Sequence, residues 1–206
     1  MAFNVSEADS KPRELIPTGT ILARCYRFIV LGTSIDPTFG KEQTKIMFGF
    51  EFPTKKKVWK EGEPAKSLVK DIEFTATLGE KSNLRAFIES WRGKPFTKEE
   101  LRSFDIASLI GQTGIANIIH DQGKKDPTKM YDKIKSIIPL MEGQECPEQI
   151  MPSFEFNFTD KYSETTLEDM PDFLKNKIKE SNEYKAIIRM EEEKRAKEEK
   201  ENPLPF

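Results

Sequence analysis

Between Thr44 and Phe52 the side chains alternate, Ile46, Phe48, Phe50 and Phe52 falling on one face and Met47, Gly49 and Glu51 on the other. A two-residue period belongs to a β-strand, and a face carrying three phenylalanines must be covered by another layer. Two further segments read the same way. Thr20 to Leu31 is rich in β-branched, aromatic and apolar residues and follows the breakers Pro17 and Gly19. Leu68 to Leu78 separates Leu68, Ile72, Phe74, Ala76 and Leu78 from Asp71, Glu73, Thr75 and Thr77. Pro37 and Gly40 mark the first connection, and Pro53 is expected to stop the second strand.

The period then lengthens. From Ser82 to Trp91, Leu84, Phe87, Ile88 and Trp91 recur at helical spacing, and Gly93 supplies a C-terminal stop. Thr97 and Glu100 have the capping-box spacing of a second short helix, and Asp105 can cap a further turn. Strand character returns over Gln112 to His120 and over Lys129 to Ile138, before Pro139. The resulting order, β-β-β-α-β-β, is that of a five-stranded Greek-key barrel of the OB-fold type with its helix between strands three and four. Other small barrels and α+β sheets share that order. The expected class is mainly β with helices: an N-terminal arm over 1–16, a barrel-like domain over 17–140, a linker over 141–172, and a charged helix with a C-terminal tip over 173–206.

Charge divides along the same line. Residues 1–140 carry 23 Lys and Arg against 18 Asp and Glu, whereas 141–206 carry 10 against 17. A basic front with an acidic back suits a polyanion-binding domain whose tail can compete for the same surface. After Met190 the helical segment holds only charges and one alanine before its tip, so that stretch is expected to stand in solvent. The chain finishes Pro203, Leu204, Pro205, Phe206. An apolar tip on a charged stalk gains nothing in folding. A terminal aromatic with its carboxylate suits capture in a partner's pocket.

Several functional classes lose their residues. No run of 18 apolar residues is present, so no membrane helix is expected. The first ten residues lack a basic segment leading into an apolar one, which reads against a secretory signal and for the cytoplasm. Cys25 and Cys146 lie far apart and are expected to be free thiols in a reducing compartment. His120 is the one histidine, so neither the common zinc sites nor a Cys-His or Ser-His pair is readily built. The phosphate-loop spacing GxxxxGK[ST] is absent, and Asp71 and Glu73 find no third carboxylate or Lys beside them. Neither an enzyme nor a cofactor is expected.

What remains is basic and aromatic. Arg24, Tyr26 and Arg27 lie in strand one; Lys45 and Phe48 in strand two; Lys55, Lys56, Lys57, Trp59, Lys60 and Lys66 around the following loop. Lys124, Lys125 and Lys129 sit near the loop between strands four and five, with Tyr131, Lys133 and Lys135 in strand five and Arg92 and Lys94 at the helix end. Cations neutralise phosphates and aromatic faces stack on bases, a pairing that tolerates sequence and favours single strands. Phe48 belongs to the apolar series of its strand and Trp91 to the helix stripe, so both are expected in the core.

The segment with Ser82, Leu84 and Arg85, then Trp91-Arg92-Gly93-Lys94, and on through Leu101, Phe104, Asp105 and Leu109, resembles a family of bacteriophage single-stranded DNA-binding proteins. The likeness runs from about Pro17 to Pro139, roughly three-fifths of the chain. It implies an OB-type barrel that coats single strands during phage replication and recombination. The expected partners are single-stranded DNA, enzymes recruited by the tip, and further copies of the chain in a homo-oligomer. The tip itself resembles that of single-stranded DNA-binding proteins, but Lys197 and Lys200 interrupt the acidic run that precedes it in bacterial members. The rival reading is a protein–protein module, for instance a phage inhibitor of a host factor, on the same scaffold.

Overall fold

The computed structural model describes residues 14–38, 40–58, 61–123 and 126–201. Among them are six strands, β1 (Gly19–Ile35), β2 (Glu42–Lys57), β3 (Lys66–Thr75), β4 (Thr113–Gln122), β5 (Met130–Ile138) and β6 (Phe154–Phe156). Five α-helices accompany them: α1 (Asn83–Arg92), α2 (Glu100–Ser103), α3 (Glu164–Glu168), α4 (Asp172–Lys179) and α5 (Asn182–Glu201). The strand order is β3-β2-β1-β4-β5, all antiparallel, with β6 added parallel to β1. The fold is therefore mixed α+β, and among the described residues no ladder closes its sheet. Among the described residues no helix is long and apolar enough to cross a membrane.

Two apolar cores lie on opposite sides of β1 and β2. The inner one gathers Ile21, Ala23, Cys25 and Phe28 from β1, Ile46, Phe48, Phe50 and Phe52 from β2, and Leu84, Phe87, Ile88 and Trp91 from α1. The three-phenylalanine face of β2 thus meets the helix stripe, with the Trp91 ring 5.2 Å from Phe50 and 6.5 Å from Phe48. Ser82 caps α1 by accepting from the Arg85 amide, and Gly93, at φ 68°, ends it in the left-handed region that favours glycine. Gly114 is needed for close packing. A Cβ there would lie 2.5 Å from Ile137 Cγ2 and 3.0 Å from Trp91 Nε1.

The outer core was not expected. Ile29, Leu31 and Met47 point away from the inner core and are buried by Phe156, Leu167, Met170, Leu174 and Ile178. Residues 141–172, expected as a linker, instead supply β6 and α3 to a packed layer. The expected single C-terminal helix is broken between Lys179 and Asn182, which lets α4 lie on the sheet while α5 leaves it. Two irregularities in β1, between Cys25 and Arg27 and between Val30 and Gly32, make the double role possible. Each inserts one residue and shifts the alternation, so one strand feeds the inner core early and the outer core late.

Pro53 does not stop β2. The register with β3 jumps between Phe52 and Lys56, and the strand resumes as a hairpin arm reaching Lys57. A proline lacks the amide a ladder needs, so it sits in the irregular stretch where no partner is required.

The solvated reading of the helix after Met190 matches the structure: Met190 and the residues following it to Glu198 are exposed. The N-terminus of α5 is anchored. Glu183 accepts from the Thr33 amide at 2.7 Å and from its hydroxyl at 2.6 Å. Burial pushes the Glu183 carboxyl up, but the two Thr33 bonds and a bond from its own amide together leave the group below its ordinary range.

Candidate nucleic-acid interface

The structure separates the expected binding residues into three groups. Arg24, Tyr26 and Arg27 form the first, and internal contacts occupy them. Arg24 donates to the carbonyls of Gly111, Cys146 and Pro147, the last at 2.8 Å. Arg27 Nη2 forms an ion pair with Asp71 at 2.6 Å. The pair passes over Gly49, where a Cβ would lie 2.9 Å from the Asp71 carboxylate and 3.0 Å from Arg27. Tyr26 is buried, and its burial pushes the hydroxyl up to about 12. These three do not form an exposed binding surface. Their strand is covered from outside by the C-terminal layer, part of which was read as a linker.

The fully buried Glu51 shows how firmly that cover is attached. Its carboxylate accepts from the amides of Ile150 and Met151 at 3.1 and 2.9 Å. A buried carboxylate requires such donors, so the segment around Ile150 is part of the sheet's outer face. Lys177 on α4 bonds Glu73 on β3. The outer face of β1, β2 and β3 therefore carries Glu51, Asp71 and Glu73, each held by a partner.

The second group also has structural work. Arg92 lies over the Phe96 ring at 4.5 Å and the Phe104 ring at 5.5 Å, and bonds Glu100. Cation–π stacking and an ion pair hold α1 to α2 there, so Arg92 is not an open rim cation. Thr97 and Glu100 make the reciprocal bonds of a capping box beside it. Lys45 donates to Gln43 and Thr75 and borders a cavity of about 470 Å³ with Lys81, Asn83 and Glu73, apart from the other candidates. Lys57 is half-buried and pairs with Glu14 at 2.6 Å. Phe48, as expected, is in the core.

The third group reaches solvent. Lys55 and Lys56 on the arm of β2, Lys94 after α1, and Tyr131, Lys133 and Lys135 on β5 are all exposed. Lys66 and Lys129 are exposed as well, paired with Glu63 and Asp126. Lys133 is also paired, with Asp121 across the β4–β5 ladder. Trp59, Lys60, Lys124, Lys125 and the tip Pro203, Leu204, Pro205 and Phe206 lie outside the described residues. Lys55 is drawn towards β5, because it shares an open groove with Leu22, Ile115, Ile138 and Met141.

Sequence reading missed the residues that join β3 to β5. Lys70 reaches Asp132 at 2.5 Å, and Asp132 also accepts from the Ile16 amide at 3.1 Å. His120 Nε2 contacts the Ile16 carbonyl at 2.8 Å, so the segment before β1 fills the seam between the sheet's two ends. The available signal was Asp132 breaking the apolar side of β5, where a carboxylate needs a cation. Cys25 and Cys146 are free. Among the described residues no group of three or more His, Cys, Asp or Glu could hold a metal ion. In comparisons with known proteins, no protein-family model and no curated protein matches the chain.

Proposed function

We propose that this chain is a non-catalytic, largely sequence-independent single-stranded DNA-binding protein of a phage replication and recombination system. It is built on an OB-like barrel, and its C-terminal tip recruits partner enzymes. The observation that carries the reading is the exposed set of Tyr131, Lys133 and Lys135 on β5 with Lys55 and Lys56 on the arm of β2. Lysines there meet phosphates while Tyr131 offers a face to a base. The OB-like reading draws on the strand order, on α1 between β3 and β4, and on the Lys70–Asp132 bridge where a closed barrel would pair β3 with β5.

The test is a fluorescence titration of the full chain with dT oligomers and with duplex of equal length over a salt series. Oligo-dT is expected to bind more tightly, and each phosphate neutralised contributes about −0.7 to the slope of log affinity against log salt. Equal affinity for duplex would indicate a general polyanion binder. A complete lack of binding would favour the protein-module reading, to which the exposed Ile138 and Met141 also lend themselves.

A further inference from the structure

We infer that the single strand crosses the outer face of β1, β4 and β5, its bases over an apolar groove and its phosphates at lysines on both rims. The inference rests on the nucleic-acid reading above and names the face it uses. On the other side of the barrel, the outer face of β1, β2 and β3 is filled by the chain's own C-terminal layer.

The β1–β4–β5 face has the opposite character. Leu22 is in register with Ile115, and Ile115 with Ile138, so three strands contribute one continuous apolar row. Ile138 is 43% and Met141 67% exposed, and Ile115 forms the floor between them. The groove, about 370 Å³, is of a size to take a nucleobase. The next row, also in register, is Thr20, Asn117 and Ser136, whose side chains can hydrogen-bond base edges without demanding one sequence. Lys55 borders the groove from β2, with Lys56 beside it, and Lys133 and Lys135 stand on β5. Asp121, also on β4, is paired with Lys133.

An apolar groove could equally take a second copy of the chain. Across a two-fold contact, however, the same lysines would face one another. Rims of one sign repel a copy and match a strand of phosphates.

Anisotropy titration of fluorescein-labelled dT oligomer against the full chain tests the path, using Lys55→Gln/Lys56→Gln, Ile138→Asp and the control Lys177→Gln. All of these positions are exposed and outside both cores. The double lysine variant is expected to raise Kd about tenfold and flatten the salt slope by about 1.4, for two phosphates lost. Ile138→Asp places a carboxylate under the bases and is expected to weaken binding by about tenfold or more, while Lys177→Gln binds as the parent does. Parent-like binding by both groove variants overturns the path but leaves the nucleic-acid reading standing. A change of oligomeric mass with Ile138→Asp in sedimentation assigns the groove to a second copy and also overturns it. If the parent chain binds no dT at any salt, the functional reading fails and takes the path with it.

Discussion

Trp91→Ala is expected to destabilise the fold by about 3–5 kcal/mol, the range for removing a large aromatic from a packed core. The ring is buried among Phe48, Phe50 and Phe87, with centroids 5.2–6.5 Å away. Its Nε1 donates to the Thr113 carbonyl at 2.9 Å, tying α1 to the start of β4. Truncation thus opens a cavity and removes the donor from a partly buried acceptor at once. Trp91→Phe separates the two effects, since it keeps most of the volume and loses only the bond. Urea unfolding reads both: the midpoint should fall far more for Ala than for Phe, at an unchanged m-value. A midpoint for Ala within error of the parent would mean that the inner core does not depend on this ring.

Asp132→Ala should cost a similar amount, about 3–5 kcal/mol, for an electrostatic reason. Asp132 is 2% exposed and is the counter-charge of Lys70, itself largely buried. Without it an ammonium group remains in the seam between β3 and β5 with its bridge cut, and the Ile16 amide loses its acceptor. Replacing both partners, Lys70→Met with Asp132→Leu, removes the charge together with its counter-charge and should recover most of the loss. A double-mutant cycle in urea measures the coupling. Equal destabilisation by the single and double variants would contradict the bridge as the element that holds the seam.

Much of the sheet and its covering helix was legible because their residues repeat at one period. The alternation of Ile46, Phe48, Phe50 and Phe52, and the helical spacing from Leu84 to Trp91, each survive unchanged in the inner core. The capping pairs at Ser82 and at Thr97 with Glu100 act over three residues and needed no tertiary knowledge. β1 was harder. Its run from Cys25 to Leu31 is almost continuously apolar, and only the two inserted residues decide which side chains serve which core.

The candidate site was legible by residue type and not by placement. Arg24, Arg27 and Arg92 looked like phosphate ligands, since an arginine shows its charge in sequence but not its partner. Their partners lie 44 residues away for Arg27 and 87 to 123 for Arg24, beyond any local pattern. The outer core was hidden for a related reason. Phe156, Leu167, Met170 and Leu174 are spaced irregularly among acids and prolines, and they become one face only when β6 aligns with β1. The β1 part of the expected interface, Arg24, Tyr26 and Arg27, therefore fell where this layer and its neighbours cover it.

Photo-crosslinking locates the strand without assuming any mutant's behaviour. The full chain would be irradiated with dT oligomers carrying 5-iodouracil, and the attached peptides identified by mass spectrometry. Adducts at Tyr131, Met141 or the arm of β2 are expected. Adducts confined to residues 146–179 or to β3 would contradict placement of the strand on the lysine-rimmed face.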